Sequence, residues 1–454
     1  MRGGNSRHLV SPTEHRVTTP VREVVKHAKA ASRFLSTVSC HQRTAPIRAA
    51  ATAIHQARKS LLEANERDLA AARAMLASGE ISSSTFERLQ LTPKKMEAMM
   101  QSMLAVAELA DPLGRVLQRT ELDSDLVLEK LTVPLGLLAV IFEARPDAVT
   151  QIAALAMKSG NGVILKPGRE VEQTAAELVS IIQSSYESSE LPAGAVTLVN
   201  GRESVLALLG MPELIDMVIP RGSRQLVEFV QANTRIPVLG HSEGVCHIYV
   251  DAAADFPMAL DIIDDSKTDY PAACNAAETV LVHQGIAETF LPMLVERMQS
   301  RGVQLHGCAR ARAIQRDDSV TAVPNGDWHH EYSDLELAVR VVGSAAEAID
   351  HIHRYGSSHT ETIVTEDSAV AESFLAQVDA AGVFHNASTR FADGYRYGFG
   401  AEVGISTSKL HARGPVGLDG LTTYKYVLRG SGQVVRSYHP PDGKGFTHKR
   451  LPTN

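Results

Sequence analysis

Cysteine is scarce in this chain: four in 454 residues, at positions 40, 246, 274 and 308, with no CxxC pair. That pattern argues against a zinc ribbon and a disulfide framework and suits a reducing compartment, so the expectation is a cytoplasmic protein holding no metal. Long apolar runs are missing as well. Nothing approaches the ~18 residues of a membrane helix. Residues 1–20 carry Arg2, Arg7 and Arg16 among serines and histidines, without the apolar stretch of a secretory signal, and read as a disordered tail, with a mitochondrial presequence the weaker alternative. Basic charge shows no excess either. A formal net charge of −7 leaves no footprint for nucleic acid or an anionic membrane surface. What remains, 44% hydrophobic and 21% charged, is the make-up of a globular chain of two or three domains, long enough to bury a large core.

Along the chain the pattern alternates. From Val21 to about Leu109 it is helical, with Ala-rich amphipathic stretches such as 46–71. Between Asp111 and Lys130, Gly114 and short apolar alternation suggest a protruding hairpin or edge strands. Then come strand-like runs at 137–142 (LLAVIF), 162–166 (GVILK), 195–200 (AVTLVN) and 215–220 (IDMVIP), with helical segments at 148–157 and 173–184. Strands alternating with helices predict an α/β fold whose parallel sheet is covered on both faces.

Two loops at predicted strand ends are suited to phosphate. GVILKPG runs from a buried strand into Lys166 and Gly168, and MVIPRGSRQLVEFV runs through Gly222 and Ser223 into a helix N-terminus. Free N–H groups there, with a glycine permitting close approach, make a pyrophosphate site. No GxGxxG follows a strand, so a dinucleotide must be argued from both loops together; taken singly, each reads as a cap and turn. A cation at Lys166 favours a 2′-phosphate, whereas Glu170 nearby suits a 2′-hydroxyl, and the residues leave the two open.

The stretch DYPAACNAAETVLVH (269–283) places Cys274 among small residues on a loop shaped by Pro271, just before a strand pattern. A packing cysteine belongs inside a strand, as Cys246 does in GVCHIYVD; a cysteine on such a loop reads as a nucleophile.

The motifs IFEARPD, MKSGNGVILKPG, IPRGSRQLVEFV, GVCHIYVD, PAACNAAETVLVH, FHNASTRFADG and GAEVGISTSKLHARGPVGLDGLTT resemble those of the γ-glutamyl phosphate reductase family, within the aldehyde dehydrogenase superfamily. The resemblance runs in order from about Val21 to Val435. Tyr270-Pro-Ala-Ala-Cys-Asn is most similar to the reductase half of bifunctional pyrroline-5-carboxylate synthases. Only about 20 residues precede the matched region, too few for a kinase domain; a glutamate kinase that works with this chain would be a separate protein, and the sequence leaves docking between the two open.

The resemblance implies an aldehyde-dehydrogenase-like fold. A Rossmann-type NADPH-binding domain (21–110 and 131–244) joins an α/β catalytic domain (245–420). Residues 111–130 and 421–438 form a small oligomerisation flap, and 439–454 is a disordered tail. It implies NADPH as cofactor, a small-molecule substrate, and a homo-oligomer, dimer or tetramer. Cys274 matches the nucleophile. Arg145 is positioned for the leaving phosphate; Asn386, Ser388 and Arg390 match a segment lining the substrate pocket. Lys166, Gly168, Gly222 and Ser223 fall on the cofactor loops, and Glu331 falls where relatives place a carboxylate on the nicotinamide ribose. His411, Arg413 and Gly414 are motif positions that hold loops together. The superfamily's oxyanion-binding asparagine is absent from FEARP, and Lys267 is a candidate for lowering the thiol pKa.

Two other readings are an aldehyde oxidiser that hydrolyses its acyl-enzyme and a non-catalytic scaffold. Superfamily members that make acids carry a glutamate in an ELGG stretch. Here that text is Val238-Leu239-Gly240-His241, and Glu243 belongs to a different register. Cys274 together with both cofactor loops counts against the scaffold.

Overall fold

Capping residues set the helical N-terminal region. Ser39 and Gln42 close a reciprocal capping box at the start of Cys40–Gln56, and Thr92 caps Pro93–Glu108 with proline in its first turn. The computed structural model describes residues 19–241, 243–315 and 318–453; most of the N-terminal segment expected to be a tail, 1–18, lies outside the described residues. The two capped helices lay Ile47, Ile54, Met99 and Met103 into the same core as Val140 and Leu165.

The first strands are β1 (Val116–Asp123) and β2 (Leu126–Pro134), an antiparallel hairpin. Next come β3 (Leu137–Phe142), β4 (Gly162–Pro167), β5 (Val196–Leu198) and β6 (Met217–Arg221). They form a parallel sheet in the order β5-β4-β3-β6. Every residue of β3 and β4 is buried, which is why both read as unbroken apolar runs. Strand order reverses at β3, and in such sheets the ligand crevice opens at the carboxyl ends beside the reversal. Phe142 there pairs with both Pro167 and Arg221, so the loops after β3, β4 and β6 lie side by side.

A second parallel sheet is built from β7 (Cys246–Val250), β8 (Ala277–His283), β9 (Gln304–Gly307), β10 (Val320–Ala322), β11 (Glu336–Val342), β12 (Thr360–Val364) and β13 (Gly382–His385). Its order is β10-β9-β11-β8-β7-β12-β13. The strands β14 (Ile405–Ser406) and β15 (Gly414–Pro415) make a short ladder. A bridge between Val218 and Val238, and a bond from Arg221 to the Glu402 carbonyl (3.3 Å), bring these parts against the carboxyl edge of the first sheet.

Finally β16 (Thr422–Arg429) adds to β2 and β17 (Lys449–Leu451) adds to β1, giving an antiparallel flap in the order β16-β2-β1-β17. This corrects the expectation that 439–454 is a disordered tail. The outer edge of β1 offers unpaired N–H and C=O groups, and the tail satisfies them with Arg119 opposite Leu451. Tyr438 stacks on Phe446 at 4.5 Å and donates to Asp123 at 2.8 Å, tying the segment down along its length.

Candidate active site

Cys274 is presented by two consecutive turns between the helix Phe256–Thr268 and β8. The Ala273 N–H donates to the Tyr270 carbonyl (3.1 Å) and the Ala276 N–H to Ala273 (2.8 Å), leaving Cys274 half-buried at the amino end of β8. The chain entering β7 crosses against this loop at Gly244. A Cβ at that position would run into the Cys274 carbonyl, so only glycine permits the crossing. The Gly244 N–H in turn donates to Glu331 (3.1 Å), which places that carboxylate beside the nucleophile loop. Cys246, fully buried in β7, directs its thiol at the Cys274 carbonyl (3.4 Å), and burial pushes that thiol well up. It remains protonated and packs.

Two histidines flank the thiol. One ring nitrogen each of His241 and His359 and the Cys274 sulfur lie within 4.8 Å of one another. His241 Nδ1 is 3.0 Å from the Ile405 carbonyl, which only accepts; the proton is therefore on Nδ1 and the lone pair on Nε2. Burial holds the His241 pKa below the ordinary histidine value, so the ring is neutral. His359 pairs Nδ1 with the Thr360 hydroxyl at 2.9 Å, and its Nε2 is buried without a partner. Sequence reading missed both, because they reach the thiol only through the packing of separate segments.

Lys267 does not serve the thiol. Its amine is fully buried and donates to Glu278 at 2.9 Å. Burial pushes Glu278 up to about 7, against the pull of Lys267, and the Ser333 N–H bonds its other oxygen at 3.3 Å.

On the cofactor side, Gly222 and Ser223 start the helix Arg224–Ala232. The Ser223 N–H is already bonded to an anion, the Glu143 carboxylate at 2.8 Å, so the helix terminus does accept negative charge. Glu143 is a third residue that sequence reading missed. Gly168 packs against the Glu170 carboxylate, which also accepts from the Ala144 N–H at 2.6 Å. Lys166 is buried, with its amine on the Pro167 carbonyl (2.5 Å); burial lowers its pKa, opposed by Glu172, Glu170, Glu203 and Glu143. The loops that carry these groups adjoin, as a bound dinucleotide requires.

Arg221, at the end of β6, is held at about 10 by burial and by the neighbouring charge of Arg145, and remains a cation at neutral pH. The two guanidinium groups thus lie near each other on the Cys274 side of the crevice.

In the substrate segment, Asn386 commits both ends of its amide to the Thr365 backbone (3.0 and 3.1 Å), in a left-handed conformation. Ser388 bonds Ser266 at 3.0 Å and caps the Arg390 N–H. Arg390 reaches the nucleophile loop itself, bonding Asn275 and, at 3.1 Å, Asp269. The Asn275 amide also donates to the Ala392 carbonyl (3.0 Å), so this segment and the Cys274 turn form one network. Arg413 pairs with Asp379 at 2.9 Å and His411 bonds the Thr422 carbonyl at 3.1 Å, both holding loops.

The model of the Aldehyde dehydrogenase family matches residues 10–307. A γ-glutamyl phosphate reductase of Synechococcus sp. (strain JA-2-3B'a(2-13)) is 50% identical over 431 residues, covering 95% of this chain and 94% of its own length. One from Natronomonas pharaonis is 48% identical, covering 96% and 99%. The crystal structure of γ-glutamyl phosphate reductase from Thermotoga maritima superposes with a TM-score of 0.87 at 38% identity, covering 91% of this chain and 99% of that one.

Proposed function

The chain belongs to the aldehyde dehydrogenase family, among its γ-glutamyl phosphate reductases, and on that footing we propose that Cys274 carries the NADPH-dependent reduction of L-glutamyl 5-phosphate to L-glutamate 5-semialdehyde and phosphate, the second step of proline biosynthesis from glutamate. The observation that carries this reading is the Cys274 turn, pinned against the chain at Gly244.

The thiol gives up its proton, with the imidazoles of His241 and His359 the bases within reach. The thiolate attacks the acyl carbon, phosphate leaves toward the Arg145–Arg221 cations, and a thioester remains on Cys274. The oxyanion is met by the Cys274 backbone N–H; the Asn275 amide is spent on Ala392. The family uses NAD(P); NADPH, when bound, would supply a hydride to the thioester carbon. Ser223 and Gly222 are suited to its pyrophosphate, Lys166 and Gly168 to its adenosine side, and Glu331 to the nicotinamide ribose. Collapse of the thiohemiacetal frees the aldehyde and restores the thiolate. Arg390, through Asn275 and Asp269, sets the loop on which this happens.

A hydrolytic base is not at its expected place. Val238 stands there, bridged to Val218, and the Glu243 carboxylate is paired with Arg224. Among the described residues no helix is long and apolar enough to cross a membrane. A cytoplasmic setting suits the four free thiols. A homo-oligomer fits the edge strand β16, whose Tyr424, Tyr426 and Leu428 are exposed. A separate glutamate kinase docking nearby would shield the labile acyl phosphate.

The test runs the reaction backwards, with glutamate 5-semialdehyde and NADP⁺. Reduction of NADP⁺ should depend on added phosphate or arsenate and nearly stop without it. Sustained phosphate-independent turnover yielding glutamate would instead establish the hydrolysing oxidiser.

A further inference from the structure

The reduction needs one base beside Cys274, yet two imidazoles are there. Among the described residues this is the one cluster of three histidine, cysteine or acidic side chains whose donor atoms approach so closely, within 4.8 Å of one another. A second observation points to a ligand. His359 is 1% exposed, and its Nε2 is buried with no hydrogen-bond partner. His241 is oriented as metal-binding histidines are, its Nδ1–H fixed on the Ile405 carbonyl and its Nε2 lone pair left to donate. We propose that Cys274, His241 and His359 form a binding site for a zinc-class divalent cation whose occupancy switches the enzyme off.

Two imidazoles and a thiolate, with no carboxylate, select zinc or its tetrahedral stand-in cobalt over magnesium or calcium. Bond lengths of about 2.3 Å to sulfur and 2.0–2.1 Å to nitrogen put such donors about 3.4–3.6 Å apart, so the trio closes by shifts of about 1 Å or less per side chain. Binding releases the thiol proton to solvent, forms one metal–sulfur and two metal–nitrogen bonds, and transfers no electron. The fourth position stays open to water or phosphate. A sulfur held by the metal shares its negative charge with the cation and is fixed away from the acyl carbon, so it is a much weaker nucleophile. Sequence reading expected no metal because the cysteines are scattered with no CxxC pair; the three positions meet only where the chains entering β7, β8 and β12 converge.

The inhibitory half rests on Cys274 being the nucleophile; the binding half does not. EDTA-stripped full-length enzyme should bind one Co²⁺ with a sulfur-to-cobalt charge-transfer band in the near ultraviolet and intense tetrahedral visible bands. Binding should protect Cys274 from iodoacetamide. Zn²⁺, delivered from a nitrilotriacetate buffer, should displace the cobalt and abolish turnover, and EDTA should restore it. Cys274→Ser should remove the charge-transfer band, and His359→Gln should weaken both metals about tenfold or more, with His241→Gln as the second variant at the other ligand. No thiolate band, a band of unchanged affinity in both histidine variants, or full turnover by cobalt-loaded enzyme would each overturn the proposal. Turnover by Cys274→Ser would instead defeat the thioester reading and with it the inhibition, while the cobalt band alone still decides the site.

Discussion

The Glu143 carboxylate accepts a 2.8 Å hydrogen bond from the Ser223 N–H, at the head of the helix Arg224–Ala232. The chain thus supplies its own anion to the group best placed for a dinucleotide's pyrophosphate, and cofactor binding has to displace it. Glu143→Gln removes the competing charge and should lower the NADPH Kd by roughly three- to tenfold, about 1 kcal/mol. Fluorescence titration reads this directly. Weaker binding in the variant would make Glu143 a cofactor ligand instead of a rival.

Cys274→Ser should abolish turnover while leaving NADPH affinity nearly unchanged, because a hydroxyl is a far weaker nucleophile at neutral pH and the cofactor loops follow other strands. Residual activity above a few per cent of the parent, measured after excluding contaminating enzyme, would take the nucleophile role from Cys274.

Lys166→Ala should weaken NADPH by about 1–3 kcal/mol and NADH much less, as expected for a charge-assisted bond to a 2′-phosphate. Equal losses for the two nucleotides would assign the buried amine to holding the Pro167 carbonyl alone.

The buried Glu278 gives stability a pH dependence. Its carboxyl titrates near 4.5 when unfolded and at about 7 when folded. Between those values the native state holds a proton that the unfolded chain has released. Stability is therefore highest below about pH 4.5 for this group and falls as pH rises through 7, by at most about 3 kcal/mol. Melting curves across pH 5–8 should show the decline, and it should vanish in the double variant Glu278→Gln, Lys267→Met. An unchanged slope there would place it on other groups.

The first sheet was legible because β3 and β4 are buried on both faces, leaving LLAVIF and GVILK without polar interruption. The Cys274 loop was legible from Pro271 and its small neighbours. The strand β17 was not: Lys-Arg-Leu carries no strand pattern of its own, and its order comes from bonds offered by β1. Nor were His241, His359 and Glu143, whose positions around the thiol and the helix terminus arise from packing between distant segments. Lys267 misled for a related reason. Its nearness to Cys274 in sequence says nothing of direction, and the buried carboxylate of Glu278 claims the amine.

Arg119 in β1 waits for Leu451 in β17, a partner 332 residues later in the chain. At a synthesis rate of roughly 5–20 residues per second, the outer edge of the hairpin stays bare on the ribosome for about 15–65 s. Throughout that interval it is a template for any passing strand, including the hairpin of a neighbouring nascent chain. The flap is thus the last part of the molecule to be completed, and chains emerging together from one message are most at risk of exchanging it.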